Sequence, residues 1–252
     1  MRRRYVFVTG MGRSGTTWLA GLLQEADGCV CRHEFIGDRQ YWLLSWYLGA
    51  SWAVPCLERA KAEIDRRFPE GVFVDVNGYL HHSVPFLKEV FGDVAVFHLV
   101  RDPRNVVPSI HARRNPEDMQ ILPKDEGDIR HWIDRGKFWQ ICWNWADTTK
   151  RLVAQGIPVL QFERLVSDYE YLRTRLLEPA GIHVAEDFWE EARRNRCNRT
   201  RSRLYRYVYA KLRGRQPVTN TLPPYEEWSA ERKQAFRDLC GEAMQLVGYD
   251  LP

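Results

Sequence analysis

Long hydrophobic runs are missing from this sequence of 252 residues. No apolar stretch approaches the ~20 residues that a helix needs to cross a bilayer. The N-terminus is basic, but the apolar run that follows it, Tyr5-Val6-Phe7-Val8, is shorter than the roughly 7–15 residues of a signal-peptide core. We therefore expect no membrane span and a cytoplasmic protein.

Paired cysteines and a strong excess of one charge are absent as well. The six cysteines form no CxxC pair and no Cys/His cluster with zinc spacing, so we expect reduced thiols and no metal site. The 37 basic and 33 acidic side chains give a net charge of only +4, which does not indicate a nucleic-acid partner. With 44% hydrophobic residues, the chain is long enough for one well-filled domain spanning residues 1–252.

An alternation of apolar strands and helical segments predicts the fold class. Strands joined by helical crossovers favour an α/β fold of three layers, in which helices flank a parallel sheet on both faces, followed by a helical C-terminal region. The predicted strands are Tyr5–Thr9, Cys29–His33, Val72–Val76, Val94–Val100 and Ile157–Phe162. The predicted helices include Thr16–Ala26, Pro55–Phe68, Leu80–Phe91, Asn105–Arg114, Ile129–Gln155 and Ser229–Val247.

A lysine is missing from the most informative motif. The stretch GMGRSGTTWL, Gly10–Leu19, follows the first predicted strand and begins with the spacing of a phosphate-binding loop, GxxxxGK[ST], but Thr16 stands at the lysine position. A glycine-rich turn between a strand and a helix directs backbone N–H groups at one point, which makes an anion site. Arg13 adds a planar, permanently charged group suited to an anion with several oxygens. A turn that needs glycine only for its backbone is the alternative.

The same stretch resembles the 5′-phosphosulfate loop of sulfotransferases that use 3′-phosphoadenosine 5′-phosphosulfate (PAPS), which reads [RK]-x-G-T-[TS]-x-L. The resemblance implies that the loop binds PAPS, and that this chemistry requires no metal. The residues that it assigns to PAPS binding are Arg13, Ser14, Gly15, Thr16, Thr17 and Trp18.

A second segment, VFHLVRDPRNVVPSIHARR, is similar to another signature of that family. Arg101 ends a predicted strand and Ser109 lies in the helix that follows, and the resemblance implies that both bind the 3′-phosphate of PAPS. From the residues alone, a surface salt bridge between Arg101 and Asp102 is the alternative. Together the two motifs imply a P-loop sulfotransferase of the bacterial or carbohydrate type, which moves a sulfuryl group from PAPS to a hydroxyl or amine of a small-molecule or glycan acceptor.

The proton acceptor for this transfer is predicted in the stretch RHEF, at the end of the second strand. Sulfuryl transfer needs a base near the acceptor hydroxyl. Several carbohydrate and bacterial sulfotransferases carry a glutamate at the equivalent place, which implies Glu34 as the base and leaves His81 and His33 as alternatives. The opposing interpretation pairs Glu34 with an arginine and gives His81 a helix-capping role.

Candidate acceptor contacts come from two places in the sequence. Trp42 and Trp46 follow the predicted base and could line a pocket, although aromatic residues at helical spacing are more often core. Asp75 and Asn77, near the end of the third strand, are polar candidates, although turn chemistry also accounts for Asn77 before a glycine.

Acidic residues are absent from the arginine-rich segment 193–215. By resemblance we expect a mobile basic lid over the nucleotide at about 193–220, and an anionic acceptor is a second explanation for these charges. Two other functions compete with sulfuryl transfer. A nucleotide kinase or NTPase is opposed by the missing lysine, and a non-catalytic nucleotide- or nucleic-acid-binding module is favoured only by the arginine run.

Overall fold

The computed structural model describes residues 3–112, 123–124, 126–194, 212 and 222–251. Over these residues the chain divides into two compact units, one within Met1–Arg101 and Asp147–Arg196 and the other within Asp102–Ala146 and Cys197–Pro252. No helix in the described ranges is long and apolar enough to cross a membrane. The single domain stays a prediction, and most of the predicted basic lid lies outside the described residues.

A five-stranded parallel sheet forms the centre of the first unit, with the strand order β2-β3-β1-β4-β5. In register, Thr9 of the central strand lies beside Asn77 on one side and His98 on the other. The loops that follow these strands therefore leave the sheet at the same edge, where open α/β sheets bind their ligands. The strands are β1 (Arg4–Thr9), β2 (Cys29–His33), β3 (Val72–Asn77), β4 (Val94–Val100) and β5 (Val159–Gln161).

Each face of this sheet carries its own hydrophobic core, because successive side chains of a strand point to opposite faces. In β1, Val6 and Val8 join one core and Tyr5 and Phe7 join the other. Helices cover both faces, and the predicted α/β fold with a flanked parallel sheet is confirmed. The first core is completed by helices α1 (Thr16–Gln24), α8 (Phe162–Ser167), α9 (Tyr169–Leu172) and α11 (Glu186–Arg194), and the second by α2 (Arg39–Leu48), α3 (Ala50–Arg67) and α4 (Val84–Phe91).

Pro55 does not begin a helix, which corrects the prediction that a new helix starts there. It lies inside α3, because that helix starts directly after Gly49, the residue that ends α2. The backbone carbonyl of Gly49 accepts hydrogen bonds from Trp52 N and Ala53 N, at 3.2 and 2.9 Å. Between α9 and α11 the chain forms a π-helical turn (Arg173–Leu177) and α10 (Glu178–Ala180).

The described part of the second unit is helical apart from short turns. The long helix predicted over 129–155 is in fact two helices, since the carbonyl of Gly136 accepts from Trp139 N and Gln140 N and starts a new one. The ring of Trp228 packs against the rings of Phe138 and Phe236 in this unit. Its elements are α5 (Pro103–His111), α6 (Glu126–Asp134), the first part of α7 (Lys137–Ala154), a 3-10 turn (Tyr225–Glu227) and α12 (Ala230–Leu246).

Two glycines near the first strand should respond oppositely to alanine. A Cβ on Gly10 would lie 2.2 Å from the carbonyl oxygen of Leu99, whereas a Cβ on Gly21, in α1, meets nothing within 4 Å. We expect Gly10→Ala to lower the free energy of unfolding by at least about 1–3 kcal/mol. Gly21→Ala should raise it by about 0.5–1 kcal/mol, because alanine favours a helix. Urea unfolding of both variants measures this, and equal effects would contradict the close approach.

Candidate functional site

The loop after β1 leads directly into α1, and no side chain of the described residues caps the N-terminus of that helix. Gly15 takes a left-handed backbone conformation, with φ of 101°, and its carbonyl accepts the first helical hydrogen bond from Leu19 N at 3.1 Å. In α2, by contrast, the Asp38 side chain accepts from Tyr41 N. The first-turn N–H groups of a helix lack intrahelical partners, so the start of α1 is suited to an anion.

Glycines let this loop pack against two other strand ends. Gly10 lies against the backbone of Leu99, and a Cβ on Gly15 would lie 2.1 Å from the ring of Phe162. Gly12 is exposed and meets no such contact. The hydroxyl of Ser14 is buried and has no hydrogen-bond partner among the described residues. A phosphate or phosphosulfate oxygen would satisfy that hydroxyl, so the loop fits the predicted ligand class.

Two residues near this edge hold an unfavourable backbone conformation. Arg13 has a φ of 74° and Glu34 a φ of 54°, and within the described ranges they are the residues other than glycine with positive φ. A residue with a Cβ strains its backbone in this region, at about 1–3 kcal/mol each. Such strain tends to occur at functional sites, and here it falls on the predicted loop cation and the predicted base.

His33 and Glu34 meet the phosphate loop from the end of β2. His33 Nε2 lies 3.2 Å from the hydroxyl of Thr16 and 4.0 Å from Glu34 Oε1. A Cβ built on Gly78 would lie 3.8 Å from Glu34 Oε1 and 4.0 Å from Gly12 N. The carboxylate of Glu34 therefore lies beside the loop, with about a third of its side chain, 36%, exposed to solvent.

Asp75 and Asn77, the predicted acceptor contacts, are completely buried. Asp75 accepts hydrogen bonds from Phe35 N at 3.0 Å and Ile36 N at 3.1 Å, and Asn77 Nδ2 donates to Asp75 at 2.8 Å and to the carbonyl of Ile36 at 2.8 Å. Burial raises the pKa of Asp75 to about 6. Both side chains hold the turn after Glu34, which favours a positioning role over direct contact with an acceptor.

His81 is buried and uses both ring nitrogens within the protein. Nδ1 lies 2.9 Å from the carbonyl of Gly78 and therefore donates, while Nε2 accepts from Trp42 Nε1 at 2.8 Å. Burial, with the nearby Arg151 charge, lowers the pKa of His81 to about 3. The imidazole thus has no lone pair left for a substrate proton, which argues against His81 as the base.

Trp42 and Trp46 pack against histidine rings. Trp42 is buried and stacks on His82. The centre of the Trp46 ring lies 4.7 Å from that of His82 and 4.8 Å from the Arg151 guanidinium. This packing favours the core interpretation of Trp42. Trp46 is only partly buried, so acceptor contact stays a prediction for it.

Arg101 reaches the phosphate loop from the end of β4. Its Nη1 donates to the carbonyl of Arg13 at 3.4 Å, its guanidinium lies 5.1 Å from the centre of the Phe162 ring, and its Nε lies 3.9 Å from Glu163 Oε1. The sequence interpretation missed Phe162 and Glu163. Their place directly after β5, at the same sheet edge, is the signal that could have identified them.

Ser109 lies on α5, in the second unit, and is partly buried. The start of that helix is fixed by Asp102, whose carboxylate accepts from Arg104 N at 2.8 Å and pairs with the Arg104 side chain. The predicted contact of Ser109 with a 3′-phosphate stays a prediction.

Comparisons with solved structures identify the fold. The sulfotransferase domain of the Synechococcus PCC 7002 olefin synthase superposes with a TM-score of 0.56 at 15% identity, covering 99% of this chain and 96% of that one. The sulfotransferase domain of the curacin biosynthetic pathway gives 0.53 at 11% identity, with 98% of both chains covered. Mouse sulfotransferase SULT7A1, complexed with PAP, gives 0.50 at 13% identity, covering 97% of this chain and 86% of that one.

No protein-family model matches the sequence, and no curated protein matches it either. The resemblance inferred from the two motifs is nevertheless confirmed at the level of the fold, because each of these structures is a sulfotransferase. The chain therefore has the fold of the sulfotransferases.

The left-handed conformations can be tested by glycine substitution. Glycine adopts positive φ without strain, so Glu34→Gly should be more stable than Glu34→Ala by about 1 kcal/mol. At most other positions, a glycine variant is less stable than the alanine variant. Arg13→Gly should likewise be more stable than Arg13→Ala. Thermal unfolding of the four variants measures the differences, and alanine variants that are more stable than both glycine variants would contradict the strain.

Stability should fall on acidification. Burial lowers the pKa of His98 to about 4, and that of His81 to about 3, from an ordinary 6.5. Between pH 6.5 and these lowered values, the unfolded chain binds protons at both histidines that the folded chain does not bind. The free energy of unfolding is therefore unaffected by these two groups above pH 6.5 and decreases as the pH falls below it. Asp75, whose pKa is raised, acts in the opposite direction below about pH 6.

The His98 contribution can be isolated by substitution. Replacing His98 with Gln should reduce the slope of unfolding free energy against pH by about 1.4 kcal/mol per pH unit between pH 6 and 5, equivalent to one proton. Urea unfolding at several pH values measures the slope. An unchanged slope would show that His98 takes up its proton in the folded protein.

Proposed function

We propose that this chain is a sulfotransferase that uses PAPS and sulfates a hydroxyl or amine of a small-molecule or glycan acceptor. The observation that carries the proposal is a phosphate loop without lysine, in which Arg13 supplies the charge and the Glu34 carboxylate lies beside the loop. The sulfotransferase fold supports it, and one compared structure contains PAP, the nucleotide that remains after transfer from PAPS.

The phosphosulfate end of PAPS fits the first turn of α1. Backbone N–H groups at the helix start, the buried Ser14 hydroxyl, and the hydroxyls of Thr16 and Thr17 offer hydrogen bonds to its oxygens. Arg13 provides a bidentate positive group within the same loop. By resemblance, Arg101 at the end of β4 binds the 3′-phosphate.

Glu34 is the proposed base. It takes the proton of the acceptor hydroxyl while the acceptor oxygen forms a bond to sulfur. The bond between sulfur and the bridging phosphate oxygen breaks, and its electron pair stays on that oxygen. Arg13 and the loop N–H groups stabilise the developing negative charge, which is where preorganised donors contribute most to rate. The products are the sulfated acceptor and PAP.

His33 is assigned a supporting role. Its Nε2 lies within hydrogen-bond distance of the Thr16 hydroxyl, so it can orient that hydroxyl toward the bound anion. A nucleotide kinase is disfavoured because Thr16 occupies the position of the lysine that contacts terminal phosphates. The arginine run that favours a nucleic-acid module lies mostly outside the described residues.

Ligand binding tests the nucleotide assignment. PAP should raise the melting temperature, because a ligand that binds only the folded state stabilises it. ATP with Mg²⁺ and a single-stranded oligonucleotide should leave the melting temperature unchanged at equal concentration. Stabilisation by ATP-Mg²⁺ or by the oligonucleotide, but not by PAP, would overturn the proposal.

Substitution tests the chemistry, with labelled PAPS and a panel of phenol, alcohol, amine and glycan acceptors. Glu34→Gln should lower kcat by about 10²–10⁴-fold, the usual contribution of a general base, whereas His33→Gln should lower it less than about tenfold. Arg13→Ala should lower kcat by about 10²–10³-fold through lost charge stabilisation. A larger loss of kcat in His33→Gln than in Glu34→Gln would make His33 the base and Glu34 the supporting residue.

A further inference from the structure

Asp75 is an ionisable group in an interior position. Its side chain is completely buried in β3, three residues before Gly78, the glycine that lies beside Glu34 Oε1. Removing a carboxylate from water is costly unless several donors compensate it. The structure supplies three donors, the backbone N–H groups of Phe35 and Ile36 and the amide of Asn77.

The donors explain why a carboxylate is used here. The two carboxylate oxygens accept separately, Oδ1 from Phe35 N and Oδ2 from Ile36 N and Asn77. An asparagine side chain has one acceptor oxygen, and its NH₂ group would face a donor. Asp75→Asn therefore removes one anchor of the turn while it keeps the size of the side chain.

The anchored turn begins at a strained residue. Glu34 holds a left-handed conformation, and its own N–H donates to the carbonyl of Val76 at 3.2 Å. A residue in this conformation persists only when its surroundings fix it. Asp75 fixes the two peptide groups that follow, so the direction of the Glu34 side chain depends on the buried carboxylate.

We propose that Asp75 is a positioning residue, which holds the Glu34 carboxylate beside the phosphate loop by fixing the backbone of residues 34–36. The role rests on the proposed function, since it gives Glu34 its place as the base. Asp75 itself touches neither nucleotide nor acceptor. Asn77 supports it by donating to both Asp75 and the Ile36 carbonyl.

A double-mutant cycle separates positioning from a general effect on folding. Asp75→Asn should lower kcat by about 10²-fold, as misplacement of a catalytic group does, with the KM for PAPS changed by less than about threefold because the loop contacts remain. In a Glu34→Gln background, the same change should alter kcat by less than about twofold, because residues that act through one another are not additive. The exposed Asp93→Asn is the matched control and should leave kcat unchanged.

Backbone amide exchange gives a readout that needs no activity. In Asp75→Asn, hydrogen exchange at Phe35 and Ile36 should accelerate by at least about tenfold, while amides in the core of β1 keep their protection. Acceleration across the whole sheet would mean that the variant merely unfolds, and this would overturn the specific role.

The two proposals fail in different ways. Additive effects of Asp75→Asn and Glu34→Gln on kcat would overturn positioning while the sulfotransferase assignment stands. A wild-type chain that neither binds PAP nor transfers a sulfuryl group would overturn the assignment. The amide exchange then still decides the structural half of the positioning role, because unchanged exchange at Phe35 and Ile36 would refute it.

Discussion

Close approach of backbones at one edge of the parallel sheet is the constraint on which the candidate site depends. The loop after β1 touches the backbone of Leu99 at Gly10, and at Gly15 it faces the ring of Phe162. A side chain at either glycine would push the loop away from the ends of β4 and β5. Because the loop is held there, Arg101 can reach the carbonyl of Arg13, and the start of α1 points at the same region.

Around this loop, ionisable residues occur both with strained and with regular backbone conformations. Arg13 and Glu34 carry opposite charges and share the left-handed conformation, whereas the buried Asp75 sits in regular strand geometry. The unfavourable conformations fall on the two groups proposed to act on substrate, and the hydrogen bonds that maintain one of them come from an interior carboxylate. The strained backbone of Glu34 and the hydrogen bonds that hold it thus lie in the same short segment after β2.

The sequence was sufficient for the features that follow from periodicity and local motifs. Strand β1, the loop to Thr17 and helix α1 could be predicted because the apolar run, the glycines and the helix occur consecutively. The predicted helix start at Pro55 was wrong because no local signal in the sequence shows that a helix already starts after Gly49. The contacts of Asp75 could not be predicted, since they join two strand ends that only the order of the strands brings together. The engagement of both His81 ring nitrogens, by Gly78 and Trp42, could not be predicted either, which is why the sequence leaves His81 as an alternative base.

The contact between Gly15 and Phe162 also bears on how the protein is made. The first glycine-rich turn leaves the ribosome early, but the ring that packs on it belongs to the first residue of α8, directly after the last strand of the sheet and far along the chain. Contacts between such distant segments form late and slow folding. During synthesis, the loop after β1 therefore lacks its contact with Phe162 until the start of α8 has emerged.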